Sequence, residues 1–532
     1  MNLVVIKPFK IILSLFIVIF IIPFSSSITD SDLTNNVKNI TINVIESHSL
    51  VIDFVAVDEK SDNFSININR SWEFLNRTYP LADNGLKTRI NGGILSSNIG
   101  SVLEPEEEED LLLKIFRKGR ISRKVNRVVG IVPNGWFASH GDNLTKGFGS
   151  ITYTNKTFWN SIYKAVIVEE GYRHVVAHEI GHTFRLCDEY SSVEWLNSTR
   201  PDLGFPCPNG DGDGNGALDA TCLDTPRGCD TSTIGKLVPW NNSNDIISLV
   251  NFMGLASEEN QRWIDNLSYS HLLNELSQQP SFLNVLKAKL FTGKIYKNGT
   301  IIINPIYILD EQTIDNESST GNYSIVLKIN ETIFFNKSFE PVFRIMKIGG
   351  NVSDKNVSIF SFVIPFSPNL TQINIIHNNT IKSQINRTTN SPYLNITSPI
   401  GGELISNKMN ITYNASDVDN DNINYAILVS SDNGNNFTTL EIDYLNKSFF
   451  INTSILTESK QYKVKVLATD GINTNTTVSD GVFEIDNDMR IINLSAIHEN
   501  RTRKIFFYKN KNTLEDRLNS IVEKLDTGDS TI

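Results

Sequence analysis

At 532 residues the chain is too long for a single hydrophobic core and predicts about three domains. A formal net charge of −11 argues against a nucleic-acid partner, which needs a basic face. After the N-terminal apolar run, no segment is long and apolar enough to cross a bilayer.

In chain order, Met1–Lys10 carries two lysines, Ile11–Ile22 is apolar apart from Ser14, and Pro23 with Ser25–Ser27 supplies a break and small residues. This predicts a signal peptide over 1–27 and a secreted or cell-surface protein. An uncleaved anchor from near Leu3 is the one membrane attachment the sequence offers. Asn-x-Ser/Thr triplets recur along the mature chain, for example at Asn39, Asn143, Asn266, Asn298, Asn369, Asn395, Asn446 and Asn493, and predict surface glycans.

Residues 28–279 read as an α/β head. Ser49–Val57 is apolar and β-branched, a buried strand. Asp62–Tyr79 places Phe64, Ile68, Trp72 and Leu75 at helical spacing and is stopped by Pro80. Glu106–Lys118 is a second helix. The acidic run Glu104–Asp110 followed by the basic segment Arg117–Arg127 predicts a solvated face with local ion pairs. Arg127–Val132 and Lys164–Glu169 are further strands, separated by a turn at Pro133–Phe137. The second of these, Ala165–Glu169, is expected beside the cleft, pairing with an extended substrate.

The next segment, Val175–His182, contains His178-Glu179-Ile180-Gly181-His182. On a helix, positions i and i+4 share a face, so both imidazoles can reach one metal ion and Glu179 can reach a water on it. A third ligand needs the chain to turn and come back. Asp188, six positions beyond His182, stands where the metzincin pattern puts its third ligand, and Glu189 is its rival. Arg185 occupies the place where that pattern has glycine. Downstream, Asn251-Phe252-Met253-Gly254 looks like a Met-turn.

The run His178–Tyr190 (HEIGHTFRLCDEY), with Gly135-Trp136-Phe137 before it and Met253 in its NFMG after it, resembles the immunoglobulin-A peptidase family of metzincin-like zinc metallopeptidases over about 48–275. The resemblance implies a zinc endopeptidase with an α/β catalytic fold and says nothing of the substrate.

All the cysteines, Cys187, Cys207, Cys222 and Cys229, fall in the excursion between Asp188 and Met253 or at its edge. Outside the cell they predict two disulfides of undetermined pairing; the lack of a C-x-x-C pair argues against a four-thiolate zinc site. Within the excursion, Asp211, Asp213, Asn215 and Asp219 follow the first nine positions of a calcium loop, with Gly216 at the sharp turn. Cys222 stands where the bidentate glutamate belongs, so the alternatives are an incomplete calcium site and a flexible Gly/Asp turn. Ser257 is expected to cap a helix carrying Trp263, Ile264, Leu267 and Leu272 that closes the head near Gln279.

Beyond 280, short β-rich runs alternate with Asn/Gly/Ser turns. Residues 280–392 predict one β-sandwich and 393–487 an immunoglobulin- or fibronectin-III-like one. Asp417, Asp419 and Asp421 read as a plain acidic turn, with calcium binding as the alternative, and 488–532 as a tail with a helix over Leu514–Leu525. The expected fold is thus multidomain: a metzincin-like α/β head and two all-β sandwiches. The expected function is a secreted zinc endopeptidase with Glu179 as general base, acting on protein or peptide. Tyr190, His174 and Arg185 are the candidates for stabilising the transition-state oxygen. The alternative is a cell-surface binding or adhesion protein with an inactive protease-like head, against which the intact His178, Glu179 and His182 stand.

Overall fold

The computed structural model describes residues 3–7, 42–46, 49–82, 84–122, 125–142, 145–149, 164–184, 186, 236–237, 247–248, 250–251, 262–263, 266–277, 286–312, 321–346, 352–487, 490–495 and 502–507. Among them, no helix is long and apolar enough to cross a membrane.

The head is built on strands β1 (Leu50–Val57), β2 (Leu86–Leu95), β3 (Arg127–Val132), β4 (Gly147–Gly149) and β5 (Ala165–Glu169), in the order β2-β1-β3-β5-β4. All neighbours are parallel except β4, which runs antiparallel to β5 at the edge. Every residue of β1, β3 and β5 is buried, as expected of a sheet covered on both faces. Alternation along β1 sends Leu50, Ile52, Phe54 and Ala56 to one core and Val51, Val55 and Val57 to the other.

The first core is closed by helices α1 (Phe64–Thr78), α4 (Arg173–Thr183) and α5 (Asn266–Ser277), which contribute Phe64, Ile68, Leu75, Val176, Ile180 and Leu272 among others. Helix α5 begins later than the sequence predicts. Arg262–Trp263 is instead a short strand parallel to Val250–Asn251, and α5 buries Leu272 and Leu276. Helical spacing does not reveal that pairing, because two extended residues leave no periodic mark.

The second core is covered by α2 (Pro105–Ser122) and, beyond it, by the two sandwiches: one cluster joins Val51, Val55, Leu112 and Ile115 to Leu290, Tyr307 and Val363 and to Ala426, Leu428 and Ile442. This corrects the solvated-face reading of the charged segment. Glu109, Arg117, Lys118 and Arg127 are all at most 3% exposed. Glu109 pairs with Lys355 in the first sandwich. Arg117 pairs with Asp443 in the second and donates to the Pro305 carbonyl at 3.0 Å. Lys118 donates to the Leu440 carbonyl. The local pair the sequence pattern does describe is Lys114 with Asp110, one turn apart at 3.2 Å. Glu109, Arg117 and Lys118 find their partners hundreds of residues away, where a local reading of charge has no reach.

The first sandwich packs Leu286–Tyr296, flanked by Val357–Pro365 on one side and by Ile301–Ile303 and Tyr307–Gln312 on the other, against an antiparallel sheet of Thr332–Phe339, Tyr323–Ile329, Gln372–His377 and Thr380–Asn386. In the second, Tyr393–Ser398, Lys408–Ser416 and Ser448–Asn452 face a sheet centred on Ser459–Thr469 and Asn424–Ser430. Edge strand β2 lies close over Thr438–Tyr444. A Cβ on Gly93 would collide with the Leu440 backbone, which explains a glycine in a strand that gains nothing from it conformationally. Asn298, Asn369, Asn395 and Asn446 are all exposed, so a glycan at any of them meets no steric bar.

Candidate metal centre

Helix α4 carries His178, Glu179 and His182, which are 7%, 3% and 5% exposed. The Nε2 atoms of His178 and His182 lie 3.1 Å apart, with the ring planes at 88°. Two nitrogens bound tetrahedrally to one zinc ion at about 2.0–2.1 Å stand about 3.3–3.4 Å from each other, so the pair fits such an ion within a few tenths of an ångström. His182 Nδ1 lies 2.9 Å from the Leu186 carbonyl oxygen. A carbonyl only accepts, so the proton sits on Nδ1 and the Nε2 lone pair is left for a metal.

That carbonyl is in place because the chain turns at once after α4: the Phe184 and Leu186 amides both return to the Gly181 carbonyl, at 2.9 and 3.1 Å. The turn is clamped from three directions. Arg127 Nη2 donates to the Thr183 carbonyl at 3.2 Å, and its guanidinium lies 3.9 Å over the Phe184 ring. A cation there also suits the negative end of the helix dipole. His271 Nε2, from α5, donates to the Phe184 carbonyl at 2.6 Å. Tyr79 stands edge-on to Phe184, and its hydroxyl donates to the Ala177 carbonyl at 2.7 Å, one residue before His178. Burial holds the Tyr79 hydroxyl well above its usual pKa, so it stays a donor. The motif gives no sign of Tyr79, Arg127 or His271, although an arginine and a tyrosine flanking apolar runs are the residues that can bridge buried carbonyls.

Among the described residues β4 is the strand at this end of the sheet, and β5, with β3 on one side and β4 on the other, has no edge left to offer an extended peptide, contrary to the pairing expected of Ala165–Glu169. At the end of β5, Glu169 accepts from the Gly135 amide at 2.7 Å and from Lys146 at 3.0 Å, which ties the short helix α3 (Trp136–Ser139) and the start of β4 to the head. That hydrogen bond raises the Lys146 pKa above its ordinary value. His174, one turn before His178, is half-buried on α4.

Asp188, Glu189, Tyr190, Arg185, Met253, the four cysteines Cys187, Cys207, Cys222 and Cys229, and the loop ligands Asp211, Asp213, Asn215 and Asp219 lie outside the described residues. So do Ser257 and the tail helix over 514–525. Elsewhere, Asp417, Asp419 and Asp421 bring carboxylate oxygens within 4.8 Å of one another. Asp417 Oδ1 accepts from the Asp419 amide at 2.8 Å, the geometry of an Asx turn. A separate cleft of about 430 Å³ between β2 and the second sandwich has Lys60, Arg89, Asp432, Thr438 and Tyr462 on its walls and no residue of α4.

No protein-family model matches the chain, and no curated protein matches it. Among solved structures, it is similar to the fibronectin(III)-like modules of Clostridium thermocellum CbhA, at 10% identity over 34% of this chain and 84% of that one, TM-score 0.16. It is also similar to the tandem Ig repeats of Dlar, at 14% identity over 32% and 86%, TM-score 0.16. A third is chicken CNTN1 FN1-FN3, at 13% identity over 43% and 84%, TM-score 0.15. At those scores the likeness carries no argument, and the sandwich architecture rests on the sheets themselves.

Proposed function

We propose that the chain is a secreted or cell-surface zinc endopeptidase of metzincin-like type. The observation that carries this reading is the convergence of two buried imidazole Nε2 atoms, 3.1 Å apart, beside a buried glutamate on the same helix. His178 and His182 would hold the ion, with Asp188 as third ligand and Glu189 as its rival. When bound, zinc supplies a Lewis acid that polarises a carbonyl and lowers the pKa of water. The Glu179 carboxylate takes the proton of the attacking water and hands it to the leaving nitrogen. Leu186 keeps His182 in the ligating tautomer, and the clamp on Thr183 and Phe184 keeps Leu186 in place. Edge strand β4 offers its backbone to an extended peptide. Glycans on exposed asparagines and an incomplete calcium site over 211–219 belong to the same reading.

The test is cleavage of a quenched casein substrate by the purified chain, with and without chelator, beside Glu179→Gln. Chelator-sensitive cleavage that Glu179→Gln loses while keeping zinc is the expected result. Cleavage that survives the substitution rejects the mechanism, and absence of any cleavage returns the chain to the adhesion reading.

A further inference from the structure

We propose that Gly147, at the start of edge strand β4, is a positioning residue for Glu179: the side chain it lacks is the space in which the glutamate carboxylate rests. This rests on the metallopeptidase reading above. A Cβ built on Gly147 would stand 2.7 Å from Glu179 Oε1 and 2.8 Å from Glu179 Cγ, and closer still to Val175 Cγ1. Its φ lies outside the left-handed region, so space, and not backbone conformation, is what calls for glycine here. Neither backbone can retreat. Gly147 pairs with Val168, and the adjacent Lys146 carbonyl accepts the Glu169 amide at 2.9 Å. Helix α4 is pinned by Tyr79 and Arg127. Val175 is β-branched and stiff at χ1 on a helix, whereas Glu179 has rotatable bonds beyond its Cβ that can take up the displacement. An added methyl at 147 therefore displaces the Glu179 carboxylate, the group whose placement the chemistry needs.

The experiment compares Gly147→Ala, Gly147→Ala/Val175→Ala, Glu179→Gln and Gly147→Ala/Glu179→Gln in the full chain. Displacing a reacting group by about 1 Å costs on the order of 100-fold. The expected result is a kcat lowered about 10- to 100-fold in Gly147→Ala with KM little changed, full zinc content, and no recovery on adding Val175→Ala. In the Glu179→Gln background, Gly147→Ala should add no further loss, since the group it acts through is gone. A crystal structure of Gly147→Ala should show the Glu179 carboxylate moved and both backbones in place, a readout independent of turnover. Wild-type kcat in Gly147→Ala, recovery through Val175→Ala, a full multiplicative loss in the Glu179→Gln background, or an unmoved carboxylate each overturns the proposal while leaving the peptidase reading intact. A wild-type chain without peptidase activity removes both.

Discussion

The two faces of the head sheet put charge to opposite uses. On the α4 face, His178, Glu179 and His182 lie within five consecutive residues, and helical spacing alone brings the two imidazoles together. On the α2 face, Glu109, Arg117 and Lys118 are as deeply buried, yet each is paired with a residue of a sandwich: Lys355, Asp443 and the Leu440 carbonyl. The first face carries a candidate site that a local motif specifies. The second is a seam, in which buried charge holds three units to one another. Buried polar groups therefore point to chemistry on one side of this sheet and to assembly on the other, and burial alone does not tell them apart. What does is that two imidazole Nε2 atoms converge on one side and opposite charges from separate units meet on the other.

The largest effect should separate the faces cleanly. Glu179→Gln is expected to lower kcat about 1000-fold with thermal unfolding unchanged, since it removes a general base and no packing. A parallel drop in thermal stability would show that Glu179 serves the core. The converse substitution is Glu109→Ala on the seam, which strands the buried Lys355 charge. It should cost about 3–5 kcal/mol in denaturant unfolding while activity per folded molecule stays at the wild-type level. A stability change below about 1 kcal/mol would mean the seam is wetter than its geometry implies.

Arg127→Met probes the clamp that links the faces, because its guanidinium rises from the sheet to the turn after α4. Zinc affinity should fall about 10-fold, as for loss of other supports of metal ligands, with measurement by competition against a chelating dye. The smallest effect is one of pH. Desolvation lowers Lys118 and Lys289 to about 8, from an ordinary 10.5. Between those values the unfolded chain binds more protons than the folded one, so stability should rise with pH from about 8 to 10. Above about 10 the trend reverses, because burial keeps Tyr79 and Tyr307 protonated in the fold after their unfolded counterparts have ionised. Lys118→Met should flatten the rise; an unaltered slope would assign it elsewhere.

Much of the α4 face is legible in the sequence. Leu50–Val57, Phe64–Thr78 and Arg173–Thr183 announce themselves by apolar runs, helical period and the spacing of two histidines, all local signals. Strand β2 is not legible, since Leu86–Leu95 contains Lys87, Arg89, Asn91 and paired glycines, and it is a strand because β1 pairs with it and Thr438–Tyr444 lies against it. Strand β4 is three residues long, too short for any period. The seam escapes a local reading because its partners are remote in the chain: Arg117 and Asp443 are 326 positions apart, and Glu109 and Lys355 are 246 apart. Within the candidate site, the motif marks the histidines and the glutamate, whereas Tyr79, Arg127, His271 and Gly147 act through carbonyls and empty space that no spacing rule records.

The central claim is that one zinc ion sits between His178 and His182. X-ray absorption at the zinc edge of the purified full chain reads this most directly. The account predicts one zinc per chain with a nitrogen and oxygen shell that includes two imidazoles, lost in His182→Ala and kept in Glu179→Gln. A chain without zinc, or a shell dominated by sulfur from Cys187, Cys207, Cys222 and Cys229, would contradict it.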